Sequence, residues 1–364
     1  MNLNLLTLLS VVLLCSCTVT PISIPELDSK GDIYKTEGVN DELIYSSTVG
    51  NKKTIMLYVD FPDAEMKESS DVRMKKVLGE GKFQEIFHEQ SYGKVSFDIH
   101  HVHGWRQMPK SFRKYSSKST DSHRDLFVEI FALYPEINFL DYEYIMVNMP
   151  RIGNTAFGER AKIAIPYKGS KIKVALNISS GSPYVLAHET GHLMGLPDIY
   201  TYGSLKGLRN PAGPWDIMSS TNSATGFIGW HRHKLKWLDA NRKTYLAKGH
   251  HKLKLTPLNS DSGISMIVVP VDDPLKPSKV FVIEVAQAVK QRGGKRSEAG
   301  GVLVYSVDAK LASGRNPLVV YPKTDFKKAP FFVGDTFNHK DAPMAIKVFE
   351  KNSDLSYTLE IEVK

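Results

Sequence analysis

The stretch HETGHLMGLPD, residues 188–198, decides the fold and the chemistry of this 364-residue chain. It places His188 and His192 four positions apart in a segment that we predict to be helical from Tyr184 to Met194. Residues at i and i+4 lie on one face of an α-helix, one turn apart. Both imidazoles can therefore reach a single cation.

Signals at both ends support this helix. Ser182 can cap its first turn, and Pro183 suits the first helical position because proline lacks a backbone N–H. Gly195 can adopt the left-handed conformation that ends many helices, and Pro197 follows it. The sequence thus predicts a short helix and then a sharp change of chain direction.

The residue types indicate a catalytic zinc site. Neutral imidazole is a preferred ligand of zinc, and zinc lowers the pKa of a bound water to about 7. Glu189, next to the first histidine, can take a proton from that water. Peptide hydrolysis by a metal ion uses the metal as Lewis acid and a carboxylate as general base. We therefore predict Glu189 as the general base.

A catalytic zinc takes a third protein ligand and keeps one position open. Residues 193–240 contain no Glu, which argues against the class whose third ligand is a Glu from a following helix. Asp198 follows Gly195 by three positions, giving the pattern H-E-x-x-H-x-x-G-x-x-D of the metzincin class, with Asp in place of the commoner His. In an alternative, Asp198 caps the next turn and His231 or Asp216 completes the metal shell.

Several segments resemble the immune-inhibitor-A-like secreted bacterial metallopeptidases, over roughly Thr54 to Asp308. HETGHLMGLPDIY is similar to the zinc motif of that family. GPWDIMSS (213–220) resembles its Met-turn, with Met218 placed 20 residues after Asp198. The weaker similarities are VDFPD (59–63), HEQSYGKVSFDIHHVHGWRQMP (88–109), GWHRHKLKWL (229–238), FVIEV (281–285) and GGVLVYSVD (300–308).

The resemblance implies a metzincin-like catalytic domain in which Met218 forms an apolar floor beneath the metal. A peptide substrate would lie extended against an edge strand, which we expect within Lys162 to Ile178. Tyr200 or Tyr202, just past the third ligand, could donate a hydrogen bond to the oxyanion. Ordinary aromatic packing in a loop is the alternative for both tyrosines.

The chain departs from the family pattern in three respects. The segment between leader and catalytic domain is too short for a large inhibitory pro-domain. Lys236 precedes Trp237 where the family pattern leads us to expect Gly. The family often carries calcium sites and further C-terminal modules, yet no Asp-rich calcium loop can be assigned here. Calcium is therefore possible by the resemblance only.

The N-terminus predicts export. Leu3 to Leu14 form an apolar run that is too short to span a bilayer but suits a signal peptide. It ends in Leu-Cys-Ser-Cys, which resembles a bacterial lipobox with Cys17 as the acylated residue. Met1-Asn2 carries no Lys or Arg, so an ordinary cleaved signal peptide is the alternative. Both cysteines lie in this leader, which leaves no disulfide pair in the mature chain.

We expect an α+β fold with a metzincin-like zinc-peptidase domain followed by a β-rich, sandwich-like C-terminal module. The predicted divisions are a signal peptide with lipobox at 1–17, a linker or short pro-segment at 18–50, a catalytic domain at 51–242 and the β-rich module at 243–364. Predicted strands and helices before residue 182 are the strand TIMLYVD (54–60), helices 72–77 and 83–90, strand 95–99, helix 122–134 and strands 144–149, 162–167 and 173–178.

Composition limits the function classes. Hydrophobic residues at 42% and charged residues at 24% are typical of a globular protein with a sizeable core. The net charge of +8 is spread along the chain, and no nucleic-acid-binding motif accompanies it. We expect a monomeric zinc endopeptidase acting on extracellular or periplasmic proteins, either as an envelope lipoprotein or freely secreted. The alternatives are a lipid-anchored binding protein with a structural or degenerate zinc site, and a metal-free surface scaffold.

Overall fold

The computed structural model describes residues 23–29, 36–38, 45–115, 120–150, 157–158, 163–179, 182–202, 210–224, 226–288, 300–322 and 329–364. The predicted leader, including Cys17, lies outside these residues. None of the described helices is both long enough and apolar enough to cross a bilayer.

The N-terminal half combines helices with a seven-stranded sheet. Its elements are β1 (Gly50–Asp60), α1 (Ser70–Leu78), α2 (Lys82–Gln90), β2 (Val95–His101), β3 (Arg106–Gln107), a 3₁₀ turn (Phe112–Lys114), α3 (Thr120–Leu133), a 3₁₀ turn (Phe139–Asp141), β4 (Tyr144–Asn148), β5 (Phe157–Gly158), β6 (Ile163–Tyr167), β7 (Ser170–Ser179), α4 (Pro183–Leu193) and α5 (Gly229–Lys234). The predicted strands and helices of this half are thus present, with small shifts at their ends.

The sheet has the strand order β2-β1-β4-β7-β5, with β3 on β1 and β6 on β7. β1, β2, β4 and β7 run parallel to one another, whereas β5 and β6 are antiparallel to β7. The inner strand β1 is apolar on both faces from Ile55 to Val59, as a parallel strand covered on both sides must be. Its Ile55 and Leu57 share a hydrophobic cluster with Phe127 of α3. Met56 shares the opposite cluster with Phe87 of α2.

The C-terminal half is built from strands. They are β8 (Lys243–Tyr245, after a 3₁₀ turn at Ala240–Arg242), β9 (Gly249–Leu255), β10 (Met266–Pro270), β11 (Lys279–Val285), β12 (Val302–Asp308), β13 (Leu318–Val320), β14 (Thr336–Asn338), β15 (Met344–Lys351) and β16 (Tyr357–Val363). They form a five-stranded sheet, β13-β12-β11-β10-β8, and a four-stranded sheet, β14-β15-β16-β9. Ile283 and Val304 of the first sheet pack with Ile346 and Leu359 of the second, so the predicted β-rich region is a two-sheet sandwich.

The five-stranded sheet also packs against the N-terminal half. Val282 and Tyr305, on its other face, belong to the same hydrophobic cluster as Leu186 of α4 and Trp230 of α5. The predicted boundary at residue 243 therefore separates two parts that share a core. Loops of the C-terminal half can consequently reach the neighbourhood of α4.

Lys236, where the family pattern led us to expect Gly, lies at φ 62°. This is the left-handed region that glycine enters at no steric cost and other residues enter rarely. The side chain of the following Trp237 is fully buried, and its Nε1 donates to the carbonyl of Thr48 at 2.7 Å. Lys236 therefore has a backbone conformation that a glycine would adopt without strain.

Candidate metal centre

The helix α4 and the loop after it position the candidate ligands. The helix begins at Pro183, and Ser182 occupies the cap position without a side-chain hydrogen bond to the helix. It ends at Leu193, and Gly195 follows at φ 95°, which is strained for any other residue. The N–H of Leu196 then donates to the carbonyl of Gly191 at 3.0 Å, so the chain turns back along the helix.

This reversal brings the three predicted ligands together. His188 Nε2 lies 3.1 Å, and His192 Nε2 lies 3.3 Å, from Asp198 Oδ1. One ligand atom from each residue falls within 4.8 Å of the other two. Relative exposures of 7% for His188, 6% for His192 and 3% for Asp198 leave the cluster almost enclosed.

Backbone carbonyls fix the Nδ1 atoms of both imidazoles. His188 Nδ1 donates to the carbonyl of Ile217 at 3.0 Å, and His192 Nδ1 donates to the carbonyl of Leu196 at 2.8 Å. A carbonyl only accepts hydrogen bonds, so in the neutral ring the hydrogen sits on Nδ1 and a lone pair remains on Nε2. Two imidazoles that turn Nε2 towards one carboxylate in this way suit a zinc ion, which binds the neutral form of each ring.

The electrostatics of the cluster also favour a cation. Burial alone would lower the pKa of His188, but its hydrogen bond to Asp198 and the charges of Glu189 and Asp198 outweigh this and raise it to about 9. Burial would raise the pKa of Asp198, but the neighbouring histidines hold it far below the ordinary range. Asp198 is therefore ionised throughout the neutral range. Glu189 follows His188 in α4 and is 7% exposed.

Met218 packs directly against α4. Its side chain is fully buried, and a β-carbon added at Gly191 would lie 2.7 Å from Met218 Sδ. The N–H of Met218 donates to Asp216 Oδ1 at 2.6 Å, which fixes the turn that carries it. Met218 thus lies against the helical turn that holds both histidines, as an apolar residue beneath the metal would.

A loop between β12 and β13 supports Asp198. The Asp198 N–H donates to Ser313 Oγ at 3.0 Å, and the Gly314 N–H donates to the Asp198 carbonyl at 2.9 Å. Sequence reasoning missed Ser313, because it lies 115 positions away and belongs to no recognisable motif. Its small hydroxyl and the glycine beside it gave no signal that could have found it.

The two predicted oxyanion donors lie beside the ligands. Tyr202 donates its hydroxyl to Asp198 Oδ2 and lies 3.0 Å from Ser313 Oγ, so it supports the third candidate ligand. The Tyr200 ring stacks near the His188 ring, with 6.3 Å between centroids. Burial, and then the charge of Asp198, raise the pKa of Tyr200, which keeps its hydroxyl protonated. The oxyanion role stays a prediction for both.

The alternative with His231 or Asp216 as third ligand does not agree with the structure. His231 is fully buried, its Nδ1 lies 2.8 Å from Asp216 Oδ2, and its Nε2 lies 3.0 Å from Glu37 Oε1. Asp216 Oδ2 also accepts the N–H of Ile228 at 2.7 Å. Both ring nitrogens of His231 therefore face carboxylates, and the network holds the turn that carries Met218.

Glu37 comes from the segment predicted to be a linker or short pro-segment. It is 1% exposed, and Lys234 Nζ donates to the neighbouring Thr36 carbonyl at 2.7 Å. Burial alone would lower the pKa of His231, but the charges of Asp216 and Glu37 raise it to about 10. Burial would raise the pKa of Glu37, but the charge of His231 lowers it instead. Residues 36–38 are thus fastened into the core by an ion pair.

Comparison with known proteins places the site in a peptidase context. Residues 165–250 match the family described as Immune inhibitor A peptidase M6, catalytic domain. This segment contains α4, Met218 and α5, and it confirms the resemblance over these residues. The match supports a metallopeptidase, hence a hydrolase, with a protein or peptide as substrate. Comparison with curated proteins gives no match.

Solved structures give only distant likenesses. Wild-type OgpA from Akkermansia muciniphila is 12% identical over 93% of this chain and 97% of that chain, with a TM-score of 0.32. Catalytically inactive OgpA from the same organism, in complex with the O-glycopeptide substrate glycodrosocin, is 10% identical to this protein. The match covers 94% of this chain and 99% of that chain, with a TM-score of 0.30. A chaperone-substrate complex is 15% identical over 49% of this chain and 29% of that chain, with a TM-score of 0.29.

The buried ion pair predicts a pH-dependent loss of stability in Glu37→Gln. Near pH 6 the variant should lose about 3–5 kcal/mol of unfolding free energy, because a buried cation loses one carboxylate partner. The folded-state pKa of His231, about 10, exceeds its ordinary 6.5. The stabilisation of the folded state by protonated His231 is therefore fully present below about pH 6.5 and is lost as the pH rises towards 10. Urea unfolding near pH 6 and near pH 9.5 measures the difference.

Glu26→Gln is the matched control, because Glu26 lies on the same N-terminal segment and is exposed. It should unfold like the wild-type protein at both pH values. An unfolding free energy of Glu37→Gln equal to that of the wild type near pH 6 contradicts the ion pair.

Proposed function

We propose that the protein is a zinc-dependent endopeptidase with a metzincin-type catalytic domain, in which His188, His192 and Asp198 hold the metal and Glu189 is the general base. The convergence of two anchored imidazoles and one carboxylate in an almost enclosed space carries the proposal. A zinc ion held there would supply Lewis-acid chemistry to the attacking water and the scissile carbonyl.

The remaining chemistry falls to side chains of the chain itself. Glu189 accepts the proton of the attacking water and returns it to the leaving amine. Tyr200 keeps its proton and lies near His188, so it can donate to the oxygen on which negative charge develops. The turn carrying Met218 holds the carbonyl of Ile217 against His188 and thereby keeps that imidazole oriented.

The substrate is proposed to bind along the edge of the N-terminal sheet. α4 packs against β7 and β5, which places the candidate ligands beside that edge. Among the described residues, no strand pairs with the outer side of β6. An extended peptide could add there as a further strand, with main-chain hydrogen bonds supplying affinity. The predicted range 162–178 includes β6 and most of β7.

The second candidate function, a binding protein with a structural zinc, agrees less well with the number of candidate ligands around α4. Structural zinc sites are closed by four protein ligands, whereas catalytic sites use three and leave one position open. Within the described part of the chain, the group around α4 comprises three potential ligands. The presence of three candidate ligands with a carboxylate, Glu189, next to one of them favours catalysis.

Glu189→Gln tests the proposed chemistry. The amide keeps the shape of the side chain but cannot accept a proton, so cleavage of an unstructured protein such as casein should fall by about 10²–10⁴-fold. Zinc content, measured by mass spectrometry on the same preparation, should be unchanged. Glu350→Gln, at an exposed position, is the control and should cleave at the wild-type rate. Full cleavage by Glu189→Gln would end the assignment of the base.

We also propose export to the cell envelope, with Cys17 as the lipid-modified residue. The apolar run and the Leu-Cys-Ser-Cys sequence that follows it support this proposal. Cells fed a radiolabelled fatty acid should label the wild-type protein and not Cys17→Ser. Equal labelling of the two would rule out Cys17 as the anchor, and a soluble, unlabelled wild-type protein outside the cell would indicate free secretion.

A further inference from the structure

We propose that Asp71, His101 and His103 form a second binding site for a divalent transition-metal ion, which shares no ligand with the site on α4. The three side chains form the other group of potential metal ligands among the described residues. They repeat the donor set of the α4 site, which is two imidazoles and one carboxylate. This inference does not depend on the proposed peptidase function.

The donor atoms converge on one carboxylate oxygen. His101 Nε2 lies 2.7 Å, and His103 Nδ1 lies 2.9 Å, from Asp71 Oδ1. One ligand atom of each residue lies within 4.8 Å of the other two. At α4 the corresponding distances from Asp198 Oδ1 are 3.1 and 3.3 Å. Small outward movements of the side chains would place all three donors around one ion.

The fold holds these residues in place. His101 is the last residue of the edge strand β2, and Asp71 lies in the first turn of α1. The loop that follows β2 is fastened to the start of α1 and the residues before it, because the Gly104 N–H donates to Ser70 Oγ at 2.8 Å and Trp105 Nε1 donates to the Glu68 carbonyl at 2.7 Å. The two histidines are therefore presented to Asp71 by a constrained loop.

The ring of His101 is held in place by packing against Tyr58. It packs edge-on against Tyr58, with 5.0 Å between ring centroids, and its side chain is only 10% exposed. The side chains of His103 and Asp71 are 76% and 54% exposed. One ligand is thus anchored in the core while two face solvent, so water molecules can complete the coordination of a bound ion.

The donor types indicate which metals the site would take. Imidazole nitrogen with a carboxylate suits Zn²⁺, Co²⁺, Ni²⁺ or Cu²⁺, whereas Ca²⁺ and Mg²⁺ prefer oxygen ligands throughout. This group shares no residue with the group on α4, so single substitutions can test the two sites separately.

A bound ion would link β2 to α1. The loop from His101 to His103 and the first turn of α1 would then share one ligand sphere. A ligand that binds only the folded state stabilises that state. The stabilisation grows with the logarithm of the ratio of ligand concentration to Kd once this ratio is well above one. The expected consequence is stabilisation of this edge of the sheet by added metal.

Calorimetric titration of the chelator-treated full-length protein with Zn²⁺ tests the proposal. The wild type should bind two equivalents. His103→Ala, at an exposed position that should not affect folding, should bind one equivalent, with affinity at the second site lowered by at least about tenfold. The protease activity of His103→Ala should be unchanged. His250→Ala, at a histidine whose side chain is 83% exposed on β9, is the matched control and should bind two.

His192→Ala separates this proposal from the proposed function. It should lose the equivalent bound at α4 and keep the equivalent bound by Asp71, His101 and His103. A single equivalent in the wild type that is lost in His192→Ala, or two equivalents of unchanged affinity in His103→Ala, overturns the second site. Loss of the second equivalent in His250→Ala would show adventitious binding to exposed histidines and would overturn it as well.

Discussion

The approach of Asp198 Oδ1 to two imidazole nitrogens in a buried space is the interaction on which the rest of the site depends. A buried carboxylate is costly unless a positive charge or a metal compensates it. That requirement explains the local sequence. The helical spacing of His188 and His192 supplies two nitrogens on one face, and Gly195 allows the chain to reverse and return the carboxylate to them.

Parts of the chain distant in sequence hold this arrangement in place. Ser313, from the C-terminal half, accepts the N–H of Asp198, and Glu37, from the N-terminal segment, pairs with His231. His231 in turn pairs with Asp216, whose other oxygen accepts the N–H of Met218. The candidate ligands thus rest on a scaffold that spans both halves, which is consistent with the core that the two halves share.

The sequence predicted what depends on local periodicity and missed what depends on long-range pairing. The positions of α4 and of β1 followed from helical spacing and a buried apolar run, and Asp198 followed from its offset from Gly195. The roles of Ser313 and Glu37 had no such signal, because a single hydroxyl or carboxylate finds its partner only in the folded chain. The same limit left His231 open as a ligand, although its two nitrogens face carboxylates. Asp71 and His103 are likewise neighbours only because the fold brings the start of α1 beside the loop after β2.

Anomalous diffraction from crystals of the zinc-loaded protein is the most direct test of the central claim. The account predicts one ion at about 2.0–2.2 Å from His188 Nε2, His192 Nε2 and a carboxylate oxygen of Asp198, with a fourth position open to solvent. An ion bound by the two histidines while Asp198 points away, or no ion at these two histidines, would contradict it.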